Sequence, residues 1–315
     1  MRGRSRFRSE GGGLVNTSVT IAGVTFKNPV ITASGTFGFG KEYAEFYPLS
    51  ALGGICTKGL TLEERPGNPS PRVAETPSGM LNSVGLQNPG IDYYLAHYDK
   101  WLAEQGTAVI ANIAGHKLED YEEMARRIND SSADMVELNI SCPNVRSGGM
   151  AFGVLPESVR KVTEIVKKAC KKPVITKLTP NVSNIAENAK AAEEGGADAI
   201  SLINTLTGMA VDYKTRRPLL ANNTGGLSGP CVKPIALRMV WECFNAVKIP
   251  IIGLGGITSY TDVLEFMICG ARAVQVGTAT LSDPCAAFTI ARDLEKYAEE
   301  TDVDLNDLVG TLRLN

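Results

Sequence analysis

The sequence predicts an α/β protein of the eight-stranded parallel (β/α)8 barrel (TIM barrel) class, with a short N-terminal β-hairpin. Three observations carry this. Short runs that are apolar on both faces alternate with longer amphipathic stretches, the runs number eight, and Gly255-Gly256 and Gly277-Thr278 close the seventh and eighth of them. A strand covered on both faces loses the polar–apolar alternation of a half-exposed one, so each run reads as nearly continuous Val, Ile, Leu and Ala.

Residues 1–13 hold four arginines among Ser and Gly and no apolar core, which reads as a flexible tail and not a secretory signal. Val19 to Ala22 and Val24 to Phe26 flank Gly23, the pattern of a hairpin able to plug the bottom of a barrel. The expected barrel strands are Val30–Ala33, Gly54–Thr57, Ala108–Ile113, Met135–Asn139, Val174–Lys177, Ala199–Ile203, Ile251–Leu254 and Ala273–Val276. Expected helices cover Tyr93–Glu104, Leu118–Ile128, Pro156–Ala169, Ser183–Glu194, Val232–Val247, Tyr260–Cys269 and Pro284–Glu299. Their apolar residues recur every three or four positions, and Ser183 suits a helix N-cap with Glu187 in the first turns. A doubly wound open sheet would want a G-x-G-x-x-G turn after its first strand. Ser34-Gly35-Thr36-Phe37-Gly38-Phe39-Gly40 does not match that spacing. No low-complexity linker interrupts the alternation, so residues 14–315 read as a single domain.

Length and composition fit that reading and exclude others. The 315 residues are 43% hydrophobic, enough for one large barrel core. A net charge of −2 provides no basic field for nucleic acid. No apolar run approaches the roughly 20 residues of a membrane span. The seven cysteines are odd in number, scattered and without a C-x-x-C pair, as in a cytoplasmic enzyme with reduced thiols. Neither of the two histidines has a companion at metal-ligand spacing, so no metal is expected.

In such barrels the chemistry sits where strands end and the following loops begin. Here those positions are Ser34, Lys58-Gly59, Asn112, Asn139 to Asn144, Lys177, Asn204-Thr205, Gly255-Gly256 and Gly277-Thr278. Turn chemistry accounts for a single Asn or Gly, but not for a set that falls at the same end of every strand. Gly255-Gly256 and Gly277-Thr278 let backbone N–H groups approach a phosphate closely, and Gly229 on the loop after the sixth strand adds to them. Lys58 and Lys177 aim two cations at one mouth, which suits an anionic ring or a carboxylate. Asn82, Asn139, Asn144 and Asn204 offer donor and acceptor pairs to an amide-rich ring.

Cys142 lies beyond a strand end between Asn139 and Asn144, ahead of a glycine-hinged flap, Ser147 to Gly153. A thiol with an ordinary pKa of about 8.5 needs only a modest downward shift to serve as a general base near neutral pH. No histidine lies in this stretch to activate it as a nucleophile. Cys170, Cys243 and Cys269 read instead as small buried hydrophobes on helices.

Six runs taken together (Asn139 to Asn144, Asn82 to Leu86, Lys58-Gly59, Ile203-Asn204-Thr205, Leu254-Gly255-Gly256 and Val276-Gly277-Thr278) resemble the dihydroorotate dehydrogenases of pyrimidine biosynthesis. The likeness extends from about Val19 to Pro284. It implies FMN as cofactor, with its phosphate at Gly255, Gly256, Gly277 and Thr278. Ser34, Lys58, Gly59, Asn112, Asn139, Lys177, Ile203 and Gly229 match the positions that hold the rest of the flavin. Substrate contacts would be Lys58, Asn82, Ser83, Val84, Gly85, Leu86, Asn139, Asn144, Asn204 and Thr205. By the same resemblance Cys142 takes the proton from carbon 5 of dihydroorotate while a hydride leaves carbon 6.

A cysteine base is similar to the soluble class 1 enzymes, since the membrane-associated class uses serine there. The flap is similar to the NAD-linked class 1B catalytic subunit, which implies an electron-transfer partner subunit carrying FAD and a 2Fe-2S cluster. Homodimeric or heterotetrameric assembly goes with it. The rivals are a dihydropyrimidine dehydrogenase domain, disfavoured by Asn144; a phosphosugar isomerase or aldolase, which needs no such cysteine loop; and a non-catalytic scaffold.

Overall fold

The computed structural model describes residues 16–141 and 152–315. The expected tail, Cys142, Asn144 and the flap as far as residue 151 lie outside the described residues.

Eight parallel strands close into a barrel in chain order. They are β1 (Val30–Thr32), β2 (Gly54–Cys56), β3 (Ala108–Ala114), β4 (Met135–Asn139), β5 (Val174–Lys177), β6 (Ala199–Leu202), β7 (Ile251–Leu254) and β8 (Ala273–Val276). Each matches its expected run to within a residue. Helices Leu118–Ile128, Pro156–Ala169, Ile185–Glu194, Lys233–Phe244, Tyr260–Ile268 and Ala286–Thr301 cover the outside.

The strands Val19–Ile21 and Val24–Phe26 pair as the expected antiparallel hairpin. Val19, Ile21 and Phe26 are buried against Ile31, Cys56, Ile110, Met135, Ile175, Ala199, Ile252 and Ala273, one inward residue from each barrel strand. Side chains on a strand alternate faces, so a step of two residues stays inside the barrel and moves up its axis. That step turns Ile110 into Asn112, Met135 into Glu137, Ile175 into Lys177, Ala199 into Ser201 and Ala273 into Gln275. The barrel is therefore apolar below and polar above.

Three local features differ from expectation. The stretch Tyr93–Glu104 is two short helices, Ile91–His97 and Asp99–Ala103, broken at Tyr98 with φ −122°. The Tyr98 ring packs 4.3 Å from that of Phe39, and the Lys41 ammonium lies 4.7 Å over it. The cap of helix Ile185–Glu194 is Asn184, not Ser183: its Oδ1 accepts from the Ala186 N–H at 3.1 Å.

The third difference is a second sheet where loops were expected. Strands Leu206–Gly208, Gly225–Ser228, Gly79–Asn82 and Val73–Thr76 pair antiparallel in that spatial order. Val73, Met80, Asn82 and Leu227 of this sheet help to wall the cavity at the barrel mouth. Among the described residues no helix is long and apolar enough to cross a membrane.

Candidate functional site

A cavity of about 670 Å³ opens between the strand ends and this sheet, a size suited to a cofactor or substrate. The structure brings together there most of the residues picked out by position. Ser34, Lys58 and Gly59 enter from the first two strand ends, Asn139 and Lys177 from the fourth and fifth, Ile203, Asn204 and Thr205 from the sixth. Asn82, Val84, Gly85 and Leu86 come from the segment that runs on from the second sheet, and Gly229 from its other side. Gly255, Gly256, Gly277 and Thr278 close the ring. Two expected residues are placed elsewhere. Asn112 is fully buried beside the wall, and Ser83 faces away, its backbone N–H donating to Arg72 O at 2.7 Å.

The glycine end is built by convergence of three loops. Gly256 has φ +75°, and a Cβ there would lie 2.8 Å from the Gly229 carbonyl oxygen and 3.0 Å from the Lys233 backbone N. Only glycine allows that conformation and that approach together. Thr278 Oγ1 bonds Ser228 Oγ at 2.8 Å, tying the loop after β8 to the second sheet. The backbone N–H groups of Gly256, Gly277 and Thr278 donate to no acceptor among the described residues.

Asp262 holds the loop after β7. Its Oδ2 accepts from the backbone N–H groups of Thr258 at 2.7 Å and Ser259 at 2.9 Å, while Oδ1 accepts from Lys233 Nζ at 2.6 Å. Burial pushes the Asp262 carboxyl up, but these bonds outweigh it and hold the group below its ordinary value.

The two cations differ. Lys177 is buried and pairs with Glu137 at 3.1 Å. Lys58 has no side-chain hydrogen bond or ion pair among the described residues. Burial lowers its ammonium below the ordinary lysine value, and the Arg72 guanidinium lowers it further. An under-solvated cation in a cavity wall attracts an anionic ligand strongly.

The Asn139 carbonyl accepts from Tyr121 Oη at 2.9 Å, and the Gly153 N–H donates to Ile140 O at 3.0 Å. Asn188 Nδ2 donates to Gly153 O at 2.7 Å. The residues on either side of 142–151 are thus tied to each other and to the helix Ile185–Glu194.

Comparison with known proteins gives this cavity its family context. Residues 16–297 match the family described as dihydroorotate dehydrogenase. The chain belongs to the dihydroorotate dehydrogenase family. A Geotalea uraniireducens protein described as "Dihydroorotate dehydrogenase B (NAD(+)), catalytic subunit" is 52% identical over 302 residues, covering 95% of this chain and 99% of that protein. Proteins of the same description from Thermoanaerobacter pseudethanolicus and Oceanobacillus iheyensis are 51% identical over 302 residues and 55% over 287. They cover 96% and 91% of this chain, and 100% and 94% of their own lengths.

FMN is the cofactor expected of this family, and the residues present fit it. The bare N–H groups at Gly256, Gly277 and Thr278 suit a phosphate. Asn112 Oδ1 is buried without a partner among the described residues, so it has an acceptor to offer a ring N–H.

The polar shell around Glu137 was not anticipated from the sequence. Glu137, Ser201 and Gln275 lie inside the strands and not at their ends. The available signal was a carboxylate in the run Met135–Asn139, otherwise apolar up to its terminal Asn, where burial on both faces demands partners.

Proposed function

We propose that the chain oxidises dihydroorotate to orotate in de novo pyrimidine (UMP) synthesis, with FMN in the barrel mouth and Cys142 as the general base. The observation that carries this is the convergence, on a dihydroorotate dehydrogenase family member, of the strand-end glycines, Lys58 without an ion pair among the described residues, and the amides of Asn82, Asn139 and Asn204 in one cavity.

FMN, when bound there, supplies the acceptor for the hydride that leaves carbon 6. The protein does the rest. Gly255, Gly256, Gly277 and Thr278 hold the phosphate, with Gly229 beside them. Ser34, Gly59, Asn112, Lys177 and Ile203 seat the ring system. Lys58 attracts the substrate carboxylate, and Asn82, Val84, Gly85, Leu86, Asn139, Asn144, Asn204 and Thr205 orient the pyrimidine ring. Cys142, three residues after the cavity-lining Asn139, takes the proton from carbon 5 onto its sulfur as the C5–C6 double bond forms. The chain's share of catalysis is alignment and proton removal.

The relatives are described as NAD-linked catalytic subunits. We infer a partner subunit here too, carrying FAD and a 2Fe-2S cluster, in a heterotetramer built on a homodimer in the cytoplasm. The catalytic chain is read as one FMN-binding domain over residues 14–315.

The test is to purify the chain alone. It should carry flavin, be bleached anaerobically by dihydroorotate, and turn over poorly with NAD until the partner is added. A folded protein that cannot be loaded with FMN contradicts the cofactor, and efficient NAD reduction by the isolated chain contradicts the partner.

A further inference from the structure

The cavity stands on a carboxylate that proton removal does not use. Glu137 on β4 is fully buried. Its Oε1 accepts from Asn112 Nδ2 at 2.7 Å, Lys177 Nζ at 3.1 Å and Cys56 Sγ at 3.3 Å. Its Oε2 accepts from Gln275 Nε2 at 2.6 Å and Ser201 Oγ at 2.9 Å. The donors come from β2, β3, β5, β6 and β8, so one side chain gathers most of the barrel wall.

Stability does not explain this arrangement. Taking an ionised pair out of water is costly, and a packed apolar layer of the same volume is commonly as stable or more so. Such a layer lies immediately below, around Phe26. What the network supplies is orientation. Lys177 lines the cavity, and its Nζ is fixed between Glu137 and Gln275 Oε1 at 3.3 Å. Because Glu137 takes the Asn112 amide nitrogen, the amide oxygen is turned the other way. It lies 2.8 Å from where a Cβ of Gly59 would stand, and it has no partner among the described residues. Gly59 is part of the cavity wall, and its lack of a side chain leaves that oxygen room.

We propose that Glu137 is a positioning residue that sets the polarity of the cavity floor, presenting Lys177 as a fixed cationic donor and Asn112 as a bare acceptor to the rim of a flat heterocycle. A ring edge that alternates carbonyl oxygen and N–H, as an imide does, is the complement of that pattern. The inference rests on the reading that FMN occupies the cavity.

Glu137→Gln keeps the volume but replaces one acceptor with a donor and removes the charge opposite Lys177. The titratable groups that face Glu137 are Cys56 from β2 and Lys177 from β5. Asn112, Ser201 and Gln275 complete its shell and do not titrate. Lys58 lies in the cavity wall of wild type and variant alike, so its effect cancels in their ratio.

The experiment measures FMN dissociation from the purified protein by the fluorescence of the released flavin, between pH 6 and 9. In Glu137→Gln the dissociation constant should rise at least tenfold. The ratio of variant to wild-type dissociation constants should also grow towards pH 9, because a buried ammonium without its counter-ion gives up its proton more readily. Glu137→Gln/Lys177→Met removes both charges and guards against a variant that fails to fold. It should bind FMN weakly, in a ratio to wild type that does not change with pH. Wild-type affinity and a pH-independent ratio in Glu137→Gln, or wild-type affinity in the double variant, would overturn the proposal. Wild type that takes up no FMN overturns the cofactor reading and this inference with it, whereas wild-type binding beside an indifferent variant overturns this inference alone.

Discussion

The lower and upper halves of the barrel interior are built from the same strands, two residues apart, yet they obey different rules. Below, the hairpin side chains Val19, Ile21 and Phe26 close the barrel against inward residues of all eight strands. Above, a similar set of inward positions holds Asn112, Glu137, Lys177, Ser201 and Gln275 in one hydrogen-bonded cluster. The lower half gains from removing apolar area from water, about 1.5–3 kcal/mol for each large side chain. The upper half only balances its own desolvation, and what it supplies is geometry at the cavity floor. Stability and recognition are thus separated along the barrel axis, and a substitution in either half should disturb one and spare the other.

Phe26→Ala breaks the lower half alone. Chemical denaturation should show a loss of roughly 3–5 kcal/mol, while the fraction that stays folded binds FMN with wild-type affinity. A parallel loss of FMN affinity in the folded fraction would mean the halves are coupled.

Lys58→Ala is the converse. Removing a partly buried cation that has no ion pair among the described residues should leave stability unchanged or slightly higher. It should cut kcat/KM for dihydroorotate roughly ten- to hundredfold, the worth of a lost hydrogen bond to a charged group. Because burial and Arg72 lower the Lys58 ammonium, wild-type KM should climb on the alkaline side below the ordinary lysine range. Lys58→Arg, which stays charged, should lose that limb.

Much of this division is legible in the sequence, and the reasons are physical. The eight strands are readable because burial on both faces makes each a compact apolar run, and the strand ends are readable because polar residues return there together. The inside of a strand is harder to read. With both faces buried, nothing in the run Met135–Asn139 says that Glu137 points into the barrel and not at a helix; the closed barrel decides it.

The second sheet is hidden for another reason. Gly226 pairs with Asn82, strands far apart in the chain, and Gly225–Ser228 has too many glycines to read as a strand. The break at Tyr98 depends on Phe39 and Lys41, which no local pattern reports.

Asp262→Asn is the smallest of these changes; it lies outside the barrel interior, on the helix Tyr260–Ile268, and touches both stability and the cavity rim. Stability should fall by about 1–2 kcal/mol at neutral pH, with a fewfold weaker grip on FMN. The folded Asp262 carboxyl is held below its ordinary value. Its contribution is therefore complete above the unfolded-state pKa of about 3.9, and fades as pH falls through the lower folded value. Unfolding curves of variant and wild type should converge in acid; a gap independent of pH would assign the effect to packing.

The most direct test of the proposed chemistry is anaerobic rapid mixing of the FMN-loaded protein with dihydroorotate, following the flavin absorption, for wild type and Cys142→Ala. Wild type should bleach fast. The alanine variant should keep an intact flavin spectrum and bleach roughly a hundredfold or more slower, the usual weight of a general base. Bleaching at the wild-type rate in Cys142→Ala would contradict the assignment of Cys142 as the base.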